Sequence, residues 1–396
     1  MRHFFLFLSC LPALLSAQPD VEKRLQTALI LAEDGAVVEL PAGQIALSGT
    51  LSLDAKKNIT LRGQGQDKTT LSFKNQQQGA EGIRITNAEN IVLEHFTVED
   101  SKGDLIKAQA VRGITFRDLT ARWTGKPKST NGSYALYPVQ CQQVRIERCT
   151  AIGASDAGIY VGQSDSVWVS DCTAKNNVAG IEIENTTHAE VWRNKAFDNT
   201  GGILIFDLPD LPKKRGGQVR VHHNLCARNN YKNFAPKGNI VAKVPPGTGI
   251  MVLATRQVEI SHNKVWDNRT ASTAIVSYYI AETPIKDKDY NPYPSAISVH
   301  DNTYSPGKRM PTWKNKLGFI FWWKFGRRVP HILYDGIQNP AHLAADGSVL
   351  PEHRICIRDN SNGSFANIRA DRIGLFKGKI SRDLSAHDCR VYEHED

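Results

Sequence analysis

Gly158, Gly180 and Gly202 stand 22 residues apart, and an isoleucine follows each of them. A fixed period of that length points to a solenoid, in which each coil cannot bury its own apolar side and must stack on its neighbours. A second slot recurs in the pattern Val-x-Val-x-x-Asn, as at Val219, Val221 and Asn224. That slot holds Phe96, Leu119, Cys149, Cys172, Asn194, Asn224, Asn263 and Asn302. Two residues later come Val98, Ala121, Ala151, Ala174, Ala196, Cys226, Val265 and Tyr304, a set that reads as inward-facing.

Alternation over short stretches, corners rich in Gly, Asn and Asp, and the lack of a useful helical period argue for three short parallel strands per coil. A left-handed hexapeptide helix needs a six-residue repeat, which is absent, so an all-β, right-handed parallel β-helix is expected. Asn at a stacked corner bonds the coils above and below it and satisfies backbone groups where the strand bends. Spacing beyond the repeat marks insertions at 125–133, 207–217, 230–246 and about 281–294. They flank the Gly-Ile strands and are expected to wall a groove along that face.

A solenoid grows along one axis, so one domain suffices for 396 residues. Residues 1–17 read as a secretory leader, with Arg2 and His3 before an apolar run, and no other stretch is long and apolar enough to span a membrane. Residues 18–307 are expected to form the β-helix, opened by an amphipathic helix that carries Val21, Leu25, Ala28, Leu29 and Ala32 and ends before Gly35. Residues 308–396 are expected to close it: the segment 313–330 packs six aromatic residues among five Lys or Arg, and 354–373 returns as one more strand pair. Export to a periplasm or medium follows from the leader. It makes a Cys356–Cys389 disulfide plausible, because both lie outside the repeat, whereas Cys149, Cys172 and Cys226 sit in inward slots as small apolar residues. The net charge of +9 suits a polyanion such as an acidic polysaccharide, or an anionic membrane surface. Export and the lack of a recognition motif disfavour nucleic acid. A monomer is expected.

With the isoleucines inward, Tyr137, Tyr160 and Glu182 point outward in successive coils, with Glu184 two places along and Asp156, Gln163 and Asp207 at strand ends. Glu182, Glu184 and Asp156 are the candidate acid, base or calcium ligands, and Tyr137, Tyr160, Gln163 and Asp207 the candidate substrate contacts. A uronate lyase or epimerase also needs a basic residue facing those carboxylates, and none is expected on this strand. A second constellation sets His222, Ser261 and His300 beside His223, His262 and Asp301 at one corner; nothing in its spacing specifies a metal geometry. No nucleophilic triad is indicated.

The stretches LYPVQC, GASDAGIYVGQS, AGIEIEN, GGILIFDLP, NFAPKGN and VPPGTGI resemble the bacterial exported parallel beta-helix repeat-containing proteins, within the pectin-lyase-like superfamily. That resemblance implies the fold but no settled activity. The wider superfamily includes polysaccharide lyases, hydrolases and epimerases, carbohydrate-binding modules and a copper-site accessory protein. An exported haem protein of the c-type cytochrome kind is implied as a partner, without any chemistry. No lyase or polygalacturonase motif is present to carry over. Two classes of function remain in view: a module that binds a carbohydrate or an exported partner in an acidic, Tyr-lined groove, and a lyase, hydrolase or epimerase acting on an acidic glycan.

Overall fold

The computed structural model describes residues 19–307, 309–370 and 379–394, so the leader expected at 1–17 lies outside it. The strand ladders are parallel and form two sheets. One, of 11 strands from Leu51–Asp54 to Phe365–Asn367, is the Gly-Ile face; the other, of 19 strands, makes the two remaining faces of the coil. Register follows the repeat: Ile159 pairs with Ile181 and Ile181 with Ile203, while Ala151, Ala174, Ala196, Cys226 and Val265 stack in order on another face. Each of these inward residues is at most 1% exposed, giving one continuous apolar interior along the solenoid axis.

The corners are held by amide ladders. Asn224 accepts from the backbone and side-chain N–H of Asn194 at 2.9 and 3.0 Å, and donates to Val191 O at 2.8 Å and Asn263 Oδ1 at 3.0 Å. The stack continues through Asn263, Asn302 and Asn360. A second ladder, not anticipated above, runs through Asn177, Asn199, Asn229 and Asn268 at the corner before the Gly-Ile strand. It explains the glycines of the repeat. A Cβ on Gly180 would lie 2.6 Å from Gly202 O and 2.9 Å from Asn199 Nδ2, closer than any real side chain sits. A third corner stacks Cys141, Ser164 and Thr186, where hydroxyls accept backbone N–H bonds from the preceding coil.

Helix α1, Pro19–Leu31, covers the first coil with Leu25 and Leu29 buried against it; Ala28 is exposed. Coils begin at Val37 and do not stop at 307. Ile332–Tyr334, Ile355–Arg358 and Phe365–Asn367 extend the sheets, the last two being the pair expected from 354–373. The strand at 332 was hidden because it is only three residues long and a single residue, His331, separates it from the proline-bounded aromatic segment before it. Cys356 lies on one of these added strands and is disulfide-bonded to Cys389, with Cα atoms 5.0 Å apart. Helix α2, Lys316–Phe325, is capped by Asn315, whose side chain accepts from the backbone N–H of Leu317 and Gly318. Its Leu317, Ile320, Phe321 and Phe325 share a second apolar cluster with Met251, Ala274 and Leu333, which point outward from the Gly-Ile face. The aromatic segment therefore covers a flank of the solenoid, not only its end.

Candidate functional site

The outward ladder of the Gly-Ile face reads Arg84, Lys107, Tyr137, Tyr160, Glu182, Leu204, Met251 from coil to coil. Parallel pairing in steps of one coil brings Tyr160 beside Glu182, and Gly162 beside Glu184. The rings of Tyr134, Tyr137 and Tyr160 form a cluster with centroids 4.4 to 5.1 Å apart. Basic residues do occupy this ladder, contrary to the expectation: Lys107 Nζ lies 5.2 Å from the Tyr137 ring centroid. Arg84 follows a Gly-Ile pair of its own, Gly82-Ile83, at a spacing outside the 22-residue period, whereas the Lys107 strand carries Leu105 in place of the glycine.

The inserted loops do not stand as walls around an open groove. They fold down as a roof, because Phe234, Val241, Val244, Tyr278 and Tyr290 are apolar enough to pack on outward Leu204, Phe206, Met251 and Leu253. The carboxylates are consequently buried: Glu182 is 1% exposed, Asp207 4%, Asp156 6% and Glu184 7%. Tyr160 is buried too, and Tyr137 half-buried. Tyr160 therefore presents no open ring face for a sugar.

Tyr160 Oη donates to Glu184 Oε1 at 2.6 Å, Asn239 Nδ2 in the roof donates to Asp156 Oδ2 at 2.9 Å, and the Gly216 N–H donates to Asp207 Oδ1 at 3.1 Å. Glu182 Oε2 and Gln163 Oε1 are buried with no hydrogen-bond partner among the described residues. Burial, reinforced by the neighbouring carboxylates, pushes Asp156 up to about 7 and Asp207 up to about 7. Burial alone does the same for Glu184, to about 7 against the opposing Tyr160 bond, and it holds Glu182 well above the carboxylate range with Asp156 and Glu184 adding to the effect. Asp104, at the Tyr134 end, is raised to about 6 by burial. Such a cluster holds protons at neutral pH, where general acids and bases operate best.

Asp207 is where this sealed cluster meets the outside. It lines a cavity of about 440 Å³ on the flank of the Gly-Ile face, together with Arg215, Arg256, Gln257, Asn291 and Glu352. Arg215 and Arg256 are exposed, form no ion pair among the described residues, and both act to lower the Asp207 pKa. Parallel pairing sets Arg256 beside Gly217, and that glycine leaves room for the arginine: a Cβ there would lie 2.9 Å from Arg256 Cγ. His342 and His353 close the cavity as a stacked pair, ring centroids 3.5 Å apart. Of the residues expected to form the site, Asp156, Glu182, Glu184, Tyr137 and Tyr160 are brought together under the roof, Gln163 lies at the corner, and Asp207 alone lines this cavity. Arg215 and Arg256 were not legible in the sequence, since they belong to an insertion and to a different face.

The right-handed beta helix region model matches residues 114–280. The chain is similar in structure to the mannuronan C-5 epimerase AlgE4 A-module of Azotobacter vinelandii, with a TM-score of 0.53 and 12% identity over 88% of this chain and 91% of that one. The chain is a right-handed parallel β-helix protein. It is also similar to an alginate lyase from Paenibacillus sp. (TM-score 0.43, 13% identity, 72% of this chain and 96% of that one). No curated protein matches it in sequence. At such identities the likeness shows the fold alone.

The histidine corner of this β-helix protein is assembled as its register requires, with His222, Ser261 and His300 paired in line. Two of its four imidazoles are taken up by acids. His222 Nε2 lies 2.9 Å from Glu190 Oε1, and His300 bridges Glu259 Oε1 at 3.2 Å and Asp301 Oδ2 at 2.8 Å. His223 and His262 stack at 5.0 Å. Among the described residues no group of three or more His, Cys, Asp or Glu is arranged to hold a metal ion, here or in the carboxylate cluster. No helix among them is long and apolar enough to cross a membrane.

Proposed function

We propose that this is an exported protein that binds an acidic polysaccharide, with a sugar carboxylate held in the flank cavity by Arg215 and Arg256. The observation that supports this reading most is the pairing of two guanidiniums lacking ion partners with a buried aspartate in one cavity. A guanidinium presents a planar fork that matches a carboxylate in bidentate fashion, and two of them offset the desolvation of that anion. Gln257 and Asn291 supply donors and acceptors for hydroxyls. The A-module that this chain is similar to in structure is a mannuronan C-5 epimerase.

A catalytic reading is favoured by one further feature. Abstracting the proton next to a uronate carboxylate needs a base that titrates near neutrality and cations that stabilise the resulting enolate. Asp207, raised to about 7 and flanked by Arg215 and Arg256, has that character. Asp156, Glu182 and Glu184, sealed beneath the roof, then act as a proton reservoir behind Asp207 and not as groups that touch the sugar.

Binding is tested on immobilised polyuronates and neutral glucans. Wild-type protein is expected to retain polyuronates alone, with the Arg215→Ala/Arg256→Ala variant weakened at least about tenfold and wild-type binding weakened by salt. Equal retention of neutral glucan, or an unaffected double variant, overturns the reading. Turnover is followed on any polymer that binds, by unsaturated product for a lyase and by solvent deuterium at the sugar carbon for an epimerase.

A further inference from the structure

Surface helices usually turn a polar face to solvent, whereas the outer side of α2 is mostly aromatic. Its inner side is buried in the roof cluster, while its outer side carries Phe319, Trp322 and Trp323, exposed at 41%, 39% and 59%. Trp313 and Met310, in the segment leading into the helix, are exposed at 62% and 43%. Five of the eleven exposed large apolar side chains among the described residues thus fall between 310 and 323, a concentration that marks an interaction surface and not scattered exposure.

The charge carried by the segment itself is of one sign. Between Asp301 and Asp335 the sequence has seven Lys or Arg and no acidic residue. Lys314, Arg327 and Arg328 are exposed and form no ion pair among the described residues, and Lys324 Nζ lies 5.8 Å above the Trp323 ring. Lys316 is paired with Glu282 on the adjoining loop. The outer side of α2 has no carboxylate and no side-chain amide, so it lacks the hydrogen-bonding groups that orient a sugar.

We propose that α2 and the segment before it dock this protein on an anionic lipid surface. Indole rings favour the boundary between headgroups and acyl chains, where the apolar body is buried and the N–H stays wet. Phe319, Trp313 and Trp322 seat there, and Lys314, Lys324, Arg327 and Arg328 meet the acidic headgroups. The attachment is peripheral: ten residues of helix span about 15 Å, half the hydrocarbon thickness. Each basic side chain near such a surface strengthens binding about fivefold, so the flanking cations decide the lipid preference. This surface is independent of the flank cavity, and it does not rest on the glycan reading.

The test is flotation of the purified protein with phosphatidylcholine vesicles, with and without phosphatidylglycerol. Flotation with the anionic vesicles alone is expected, accompanied by a blue shift of tryptophan emission and abolished by high salt. The Arg327→Glu/Arg328→Glu variant leaves the buried face of α2 untouched and should lower partition by at least about 25-fold. Phe319→Ser/Trp322→Ser should remove the blue shift. No flotation, equal flotation with neutral vesicles, or wild-type partition of the charge variant overturns the proposal. The first outcome would assign the patch to a protein partner, and the other two would remove the preference for anionic lipid.

Discussion

Replacing Asp207 by Asn tests whether the carboxylate cluster is as sealed as the roof makes it. Burial raises Asp207 from an ordinary 3.8 to about 7. Because the folded-state value lies above the unfolded one, the group's contribution to stability is full below about 3.8 and is lost as pH rises through 7. A shift of about 3 pH units corresponds to about 4 kcal/mol in total, of which about 3 kcal/mol falls between pH 5 and pH 8. With an unfolding entropy of ~2.1 cal/mol/K per residue, that change amounts to about 3 to 4 °C in Tm for a chain of 396 residues. The amide keeps an oxygen for the Gly216 N–H but cannot ionise. Asp207→Asn should therefore lose about 3 kcal/mol less than wild type between pH 5 and pH 8, measured by calorimetry or denaturant titration at each pH. Superimposable pH profiles for the two proteins would refute the buried-acid argument, as would a wild type more resistant at pH 8 than its variant.

Asn224→Leu, which breaks four hydrogen bonds in the corner ladder, should destabilise by at least about 3 kcal/mol, against about 1 to 2 kcal/mol for Cys149→Ala; equal Tm losses would contradict the ladder. Thiol titration of denatured, unreduced protein lacking residues 1–17 should find four thiols, those of Cys141, Cys149, Cys172 and Cys226. Six would show that the Cys356–Cys389 bond does not form.

Much of the molecule follows from its one-dimensional pattern. A solenoid repeats its contacts at a fixed sequence interval, so the 22-residue spacing of Gly158, Gly180 and Gly202 and the alternation within strands determine which side chains face inward and which stack. The same logic placed Tyr160 beside Glu182 and His222 in line with Ser261 and His300. It reached its limit at the insertions, which have no partner one period away. Whether residues 230–246 stand clear of the Gly-Ile face or lie upon it depends on how Val241, Val244, Tyr278 and Tyr290 pack with Leu204 and Met251, a match between segments far apart in the chain. That packing turned an expected open groove of ionised carboxylates into a sealed, proton-holding cluster. It left Asp207 at the flank, where Arg215 from a loop and Arg256 from another face arrive only through the fold.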